Sequence, residues 1–188
     1  MSKGTLEVIV GCMSSGKSEE LIRRLKRATI AKQSVVVFKP GVDSRGEKLV
    51  IASRDGRLFD AIPIDEPQNV FDHLQDEHCV VAFDEAQFLP ESTLDVIRQL
   101  LDRGVRVLIA GLDTDFRGEP FGVIPQLMAE ADSVTKLTAV CVRCAQPAIR
   151  TQRLIDGQPA PYNSPRIVVG GDEMYEARCR SCHSVPRD

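Results

Sequence analysis

Residues 5 to 18, Thr-Leu-Glu-Val-Ile-Val-Gly-Cys-Met-Ser-Ser-Gly-Lys-Ser, constrain this chain more than any other stretch. Five of the six residues from Thr5 to Val10 are β-branched or leucine, the composition of a strand buried in a parallel sheet. The run leads directly into Gly11-x-x-x-x-Gly16-Lys17-Ser18, a complete phosphate-binding-loop pattern. Leu21, Ile22, Leu25 and Ala28 then fall on one helical face. In this strand–loop–helix setting the backbone N–H groups of Gly11, Cys12, Met13, Ser14, Ser15 and Gly16 turn inward around phosphate oxygens. The helix N-terminus adds a partial positive charge. Lys17 is expected to reach the β- and γ-phosphates and Ser18 to bind Mg²⁺ through its hydroxyl. The bland alternative is a glycine turn before an ordinary amphipathic helix; the complete pattern with correct flanks favours nucleotide binding.

Further apolar runs follow at Ser34 to Lys39, Cys79 to Phe83, Val105 to Ala110 and Val134 to Val140. Helical patterns separate them. One opens at Asp65-Glu66-Pro67 and runs to about Gln75, one covers about Glu91 to Asp102, and a short one covers Pro125 to Ala131. Residues 48 to 64 alternate around Asp55-Gly56 and read as a short hairpin. The alternation predicts an α/β fold with a doubly wound, mostly parallel sheet. Cys79 lies inside an apolar run and is expected in the core, whereas His73 and His78 are isolated and read as surface residues.

Length and charge narrow the classes. A chain of 188 residues with 43% hydrophobic content fits one α/β domain with a small appendage. A formal charge of −3 without a Lys/Arg run argues against a nucleic-acid partner. No apolar stretch approaches a membrane span, and Met-Ser-Lys-Gly-Thr is not a signal peptide, so no membrane partner and a cytoplasmic location are expected. Six cysteines in such a compartment argue against a disulfide framework.

Two loops and one acidic pair sit where ligands bind in an open α/β sheet, beyond the C-terminal ends of strands. Val42-Asp43-Ser44-Arg45-Gly46 follows one strand, and Arg45 could reach a phosphate or simply be solvated. Gly111 to Gly122 is rich in turn formers and holds two phenylalanines. Asp84-Glu85 ends the third strand. An aspartate there is the usual partner of a phosphate loop and anchors Mg²⁺ opposite Ser18. The adjacent Glu85 carboxylate points another way and suits a general base taking a proton from a hydroxyl or water. An acidic lead-in to a helix is the alternative reading of the pair.

From Cys141 the texture changes. Cys141-Val-Arg-Cys144 and Cys179-Arg-Ser-Cys182 can place four thiolates tetrahedrally around Zn²⁺, and a filled four-cysteine shell makes the metal structural. A redox dithiol is disfavoured because neither pair opens a helix after a βαβ strand. His183 is a weaker substitute for Cys182 as ligand. The long excursion between the pairs holds a hairpin, Ile149 to Ile155 with Asp156-Gly157 as its turn, and then many Pro and Gly residues. We place a boundary near residue 140, giving a nucleotide-binding domain over 1–140 and a zinc-binding domain with a covering loop over 141–188.

Assembled, these motifs resemble the zinc-binding type II thymidine kinase family, built on a RecA-like P-loop core with a small zinc-ribbon-like β domain. The resemblance is carried by Gly11 to Ser18, Asp84-Glu-Ala-Gln-Phe88, Gly111-Leu-Asp-Thr-Asp-Phe-Arg-Gly-Glu-Pro-Phe121, the cysteine pairs, and Val169-Gly-Gly-x-x-x-Tyr175. It implies transfer of the γ-phosphoryl group of ATP to the 5′-hydroxyl of thymidine, with Glu85 as base and Asp84, Ala86 and Gln87 in the phosphate site. It implies that Asp43, Ser44 and Arg45 touch the phosphates. Phe116 would stack in the nucleoside pocket, lined by Met13, Phe88, Leu112 and Phe121. Arg166, Ile167, Val168, Val169, Gly170 and Tyr175 would belong to a lasso that closes over thymine. The family resemblance also implies a cytoplasmic homotetramer inhibited by dTTP. Cys12, where relatives often carry proline or another small residue, would make the loop oxidisable; Arg54 replaces a histidine common in the hairpin. An ATPase in which Glu85 activates water, and a zinc-ribbon binding module with a regulatory P-loop, are the competing classes. The aromatic residues of 111–122 favour a small acceptor over both.

Overall fold

A computed structural model describes residues 3–41, 50–52, 58–75, 78–167 and 174–187. In chain order the elements are β1 (Leu6–Val10), α1 (Lys17–Ile30), β2 (Ser34–Pro40), β3 (Val50–Ala52), β4 (Leu58–Asp60), β5 (Ile62–Ile64), α2 (Val70–His73) and β6 (His78–Phe83). They continue with α3 (Thr93–Asp102), β7 (Arg106–Gly111), α4 (Ile124–Glu130), β8 (Ser133–Lys136), β9 (Ala139–Val140), β10 (Pro147–Ala148), β11 (Arg150–Ile155), β12 (Gln158–Pro159) and β13 (Tyr175–Arg178). The expected α/β architecture is present. Six strands form one sheet in the order β5-β2-β6-β7-β1-β8, and every pairing in it is parallel.

The strands bury both faces, and the period of two decides which side chain goes where. On β1 and β7, Leu6, Val8, Val10, Val107 and Ile109 face one core with Leu94, Ile97 and Leu100 of α3 and Ile124 and Leu127 of α4. Ile9, Leu108 and Ala110 face the other, against Leu21, Ile22, Leu25 and Ala28 of α1. The helices therefore lie on both faces, as a doubly wound sheet requires.

Several expectations change. Cys79 is exposed rather than core. The register between β2 and β6 pairs Ser34 with His78 and then Val35 with Val80, so Cys79 is the extra residue of a β-bulge and is turned out of the ladder. The expected helix over 65–75 is a 3-10 turn at Pro67–Asn69 followed by the single turn α2; Leu74 is already extended, with φ −80° and ψ 134°. The third helix starts at Thr93 rather than near Glu91. The run from Val134 to Val140 divides: β8 pairs with β1, which ends at Val10, and the chain then leaves to pair β9 with β10. Beyond Val10 the phosphate loop leaves no strand for it to continue along. The hairpin expected over 48–64 is shorter: β3 and β4 pair antiparallel, whereas Ile62–Ile64 joins the main sheet as β5, parallel to β2; Arg54, Asp43, Ser44 and Arg45 lie outside the described residues. His73 is exposed, as expected.

Beyond Cys141 the described residues form β11 flanked by β12 and β13, all antiparallel.

Candidate active site

Three parallel strands bring the candidate residues to one edge. In the order β6-β7-β1, the strand ends carry Asp84-Glu85, Leu112 and the phosphate loop. Neighbouring strands lie about 4.8 Å apart, so the acidic pair and the loop sit roughly 10 Å from each other with Leu112 between them.

The phosphate loop is braced from the C-terminal part of the chain. The Met13 N–H donates to Thr151 Oγ1 on β11 at 3.1 Å, and the Cys12 thiol donates to the Ala148 carbonyl on β10 at 3.3 Å. Lys17 is buried and its Nζ donates to the Cys12 carbonyl at 2.9 Å, which folds the side chain back over the loop. Burial pushes the Cys12 thiol above its ordinary value, outweighing the nearby Lys17 charge. The thiol is therefore enclosed.

Asp84 and Glu85 differ in setting. Asp84 is 3% exposed; burial, then the Glu85 charge, push its carboxyl up to about 7, while Lys39 and Lys17 oppose the shift. Glu85 is half-buried and adopts a left-handed backbone, φ 52° and ψ 36°, that an L-residue takes at a cost of about 1–2 kcal/mol. The 3-10 turn Ala86–Phe88 follows at once. Gln87 is buried, and its Nε2 donates to Glu85 Oε2 at 2.5 Å while its Oε1 accepts the Leu112 N–H at 3.0 Å. Both ends of its carboxamide are thus engaged by the protein, and Ala86 is fully buried.

The loop from Asp113 to Phe121 is held from several sides. Arg166 donates to Asp115 Oδ2 at 2.7 Å and to the Pro120 carbonyl at 2.5 Å. Tyr162 donates to Glu119 at 2.5 Å, Arg150 to the Gly118 carbonyl at 3.2 Å, and His183 to the Phe116 carbonyl at 2.8 Å. Phe116 is buried beneath the guanidinium groups of Arg117 and Arg153, 5.3 and 5.6 Å from its ring centre. Phe88 and Phe121 meet edge to face with ring centres 5.6 Å apart. Leu112, Phe116 and Phe121 are buried and Met13 is half-buried, and all four stand at this edge. Of the expected lasso, Arg166 and Ile167 are exposed and Tyr175 opens β13; Val168, Val169 and Gly170 lie outside the described residues. The Arg166 side chain reaches Asp115 on the facing loop.

The four cysteines converge. The Sγ atoms of Cys141, Cys144, Cys179 and Cys182 all lie within 4.8 Å of one another, and none is in a disulfide. A tetrahedral Zn²⁺ with ~2.3 Å bonds to sulfur separates its ligands by about 3.8 Å, so this donor set fits a metal such as zinc. His183 is not part of the cluster; its ring nitrogen is engaged with Phe116.

Thr151, Arg153 and Tyr162 escaped the sequence reading, and His183 entered it only as a substitute metal ligand, not as the partner of Phe116. A polar run, Thr151-Gln152-Arg153, buried on a short strand is visible only when burial is known.

A phosphate loop, an acidic pair and an aromatic-lined loop on one sheet edge, knotted behind by four thiols, define a P-loop α/β protein that handles nucleotides. The family model for thymidine kinase matches residues 4–183, nearly the whole chain. The chain belongs to the thymidine kinase family; it is a kinase that phosphorylates thymidine, with thymidine and a nucleotide as its substrates. Among the described residues no helix is long and apolar enough to cross a membrane.

Proposed function

We propose that the protein transfers the γ-phosphoryl group of ATP to the 5′-hydroxyl of thymidine, giving dTMP for nucleoside salvage, with Glu85 as general base. The observation that carries this reading is the placement of Glu85: its half-buried carboxylate stands at the tip of β6, one strand from Leu112 and two from the phosphate loop. A carboxylate there is suited to take the 5′-hydroxyl proton as the bond to phosphorus forms.

The loop from Gly11 to Ser18 would hold the phosphates, joined by Asp43 to Arg45. The Ser15 hydroxyl is buried with no hydrogen-bond partner among the described residues, as suits a group that meets a phosphate oxygen. Mg²⁺ on Ser18 and Asp84 would neutralise the charge of the phosphate oxygens; a hydroxyl and a carboxylate are the hard oxygen ligands it prefers. Phe116 would belong to the thymine pocket, with Met13, Phe88, Leu112 and Phe121 as apolar walls. Residues 166 to 170 with Tyr175 would cover the base and exclude water, favouring transfer over hydrolysis. A closed shell of four cysteines supports one structural zinc per chain. The proposal includes a homotetramer and feedback by dTTP, which carries both the thymine and the triphosphate that the two subsites would take. Residues 1–140 and 141–188 form the proposed nucleotide-binding and zinc-binding parts of one cytoplasmic enzyme.

The test is incubation with γ-labelled ATP and a panel of nucleosides. Label on the 5′-oxygen of thymidine is the expected result; label released chiefly as phosphate would make the chain an ATPase. Glu85→Gln should leave both affinities within a few-fold and lower kcat about 10²–10⁴-fold. Asp84→Asn should regain part of its activity at higher Mg²⁺, and Glu85→Gln should not.

A further inference from the structure

Gln87 is 3% exposed, and its carboxamide bridges two elements. At one end Oε1 accepts the backbone N–H of Leu112, and at the other Nε2 donates to Glu85 Oε2. The orientation of the amide is not arbitrary. Turning it over would set its NH₂ against the Leu112 N–H and its oxygen against the Glu85 carboxylate, two repulsive contacts in place of two bonds.

The turn that carries Gln87 packs closely against both ends of the 111–122 loop. A Cβ on Gly111 would sit 2.7 Å from Gln87 Oε1. A Cβ on Gly122, which has φ +53°, would sit 2.3 Å from the Gln87 carbonyl oxygen. Two glycines from different ends of the 111–122 loop thus form the slot that Gln87 fills. Backbone bonds from Phe88 N–H to the Glu85 carbonyl and from Leu89 N–H to the Ala86 carbonyl, each 3.1 Å, fix the turn that carries it.

We infer that Gln87 is the positioning residue for Glu85, a carboxamide strut that ties the proposed base to the backbone of the nucleoside-pocket residue Leu112. The inference rests on Glu85 being the base. A free glutamate samples several rotamers, whereas a base must meet its hydroxyl at about 2.6–3.2 Å. Holding one carboxylate oxygen fixes the other, and an ångström of misplacement lowers the rate by about 10²-fold. Because the strut ends on Leu112, the pocket wall and the base keep one relative position when a nucleoside enters.

The experiment uses the full zinc-loaded chain with MgATP and thymidine. Gln87→Met keeps the length and removes both bonds. Gln87→Glu keeps an acceptor for the Leu112 N–H but offers Glu85 no donor when ionised, so it remains informative if the methionine variant folds poorly. Both should lower kcat about 10–100-fold while thymidine KM and calorimetric affinity stay within about three-fold. In a Glu85→Gln background, adding Gln87→Met should change kcat less than about two-fold, because residues acting as a unit are not additive. Near-normal kcat in both Gln87 variants, or losses that multiply with Glu85→Gln, would overturn the positioning role and leave the base reading standing. Near-normal kcat in Glu85→Gln alone would overturn the base reading, and the strut with it.

Discussion

His183 donates a hydrogen bond to the carbonyl of Phe116 at 2.8 Å, so the residue next to the last cysteine of the cluster supports the buried aromatic ring of the 113–121 loop. The bond spans 67 positions of sequence and reaches the centre of the 113–121 loop. The four-cysteine cluster and the proposed nucleoside pocket are thereby neighbours through one imidazole.

His183→Ala should therefore weaken nucleoside binding without emptying the metal site. One lost hydrogen bond is worth about 1 kcal/mol, so thymidine KM should rise roughly five-fold while the KM for ATP and the zinc content stay unchanged. Steady-state kinetics with elemental analysis check this. An unchanged thymidine KM would mean that Arg117 and Arg153 hold Phe116 without help.

Removal of any cluster thiol should act more widely. Cys141→Ser, Cys144→Ser, Cys179→Ser and Cys182→Ser should each lose the metal, lower Tm and raise thymidine KM, since metal–thiolate bonds contribute folding free energy. The wild-type chain should carry one zinc by elemental analysis. A metal-free protein with full activity and unchanged Tm would end the structural-zinc reading.

Acid should loosen the first helix through Glu20. Its hydrogen bond to Arg23, joined by Arg24 and opposed by burial, holds its carboxyl down at about 2 against an ordinary 4.5. A carboxylate depressed on folding stabilises the native state above its unfolded value, and that stabilisation fades as pH falls from about 4.5 towards 2. Glu20→Gln should lower Tm by a few degrees at pH 7 and flatten the acid limb of the Tm–pH curve. Parallel curves for the two proteins would show that these ion pairs add nothing.

The thiols should separate by reactivity. Cys79 is exposed, whereas Cys12 is 2% exposed and raised by burial. Iodoacetamide should label Cys79 first in the zinc-loaded protein, and Cys12 only on unfolding, because the thiolate is the reactive form. Peptide mapping by mass spectrometry reads the order. Equal labelling of Cys12 and Cys79 would contradict the enclosure of the phosphate loop.

What could be read from the chain followed the range of each signal. The strands showed because each buried run is contiguous, and the phosphate loop showed because its pattern, strand and helix occupy neighbouring positions. Cys79 misled because a bulge leaves no trace in composition. The helix after Asp65 came out short because its cap and proline mark a start but not an end. Glu85, Gln87 and the cysteines were visible as residues. The contacts that define their setting were not. Gln87 meets Leu112 across 25 positions and Met13 meets Thr151 across 138, and no local pattern encodes such pairs.

The brace on the phosphate loop bears on where this protein can be cut. Met13 and Cys12 lean on Thr151 and Ala148, so a fragment ending at Val140 would keep the nucleotide motif yet strip the supports from two of its residues. Such a fragment would be a poor donor for domain grafting. Fusions and circular permutations are better opened at an exposed hairpin tip such as Asp156-Gly157, where nothing lies within 4 Å of a Cβ placed on the glycine.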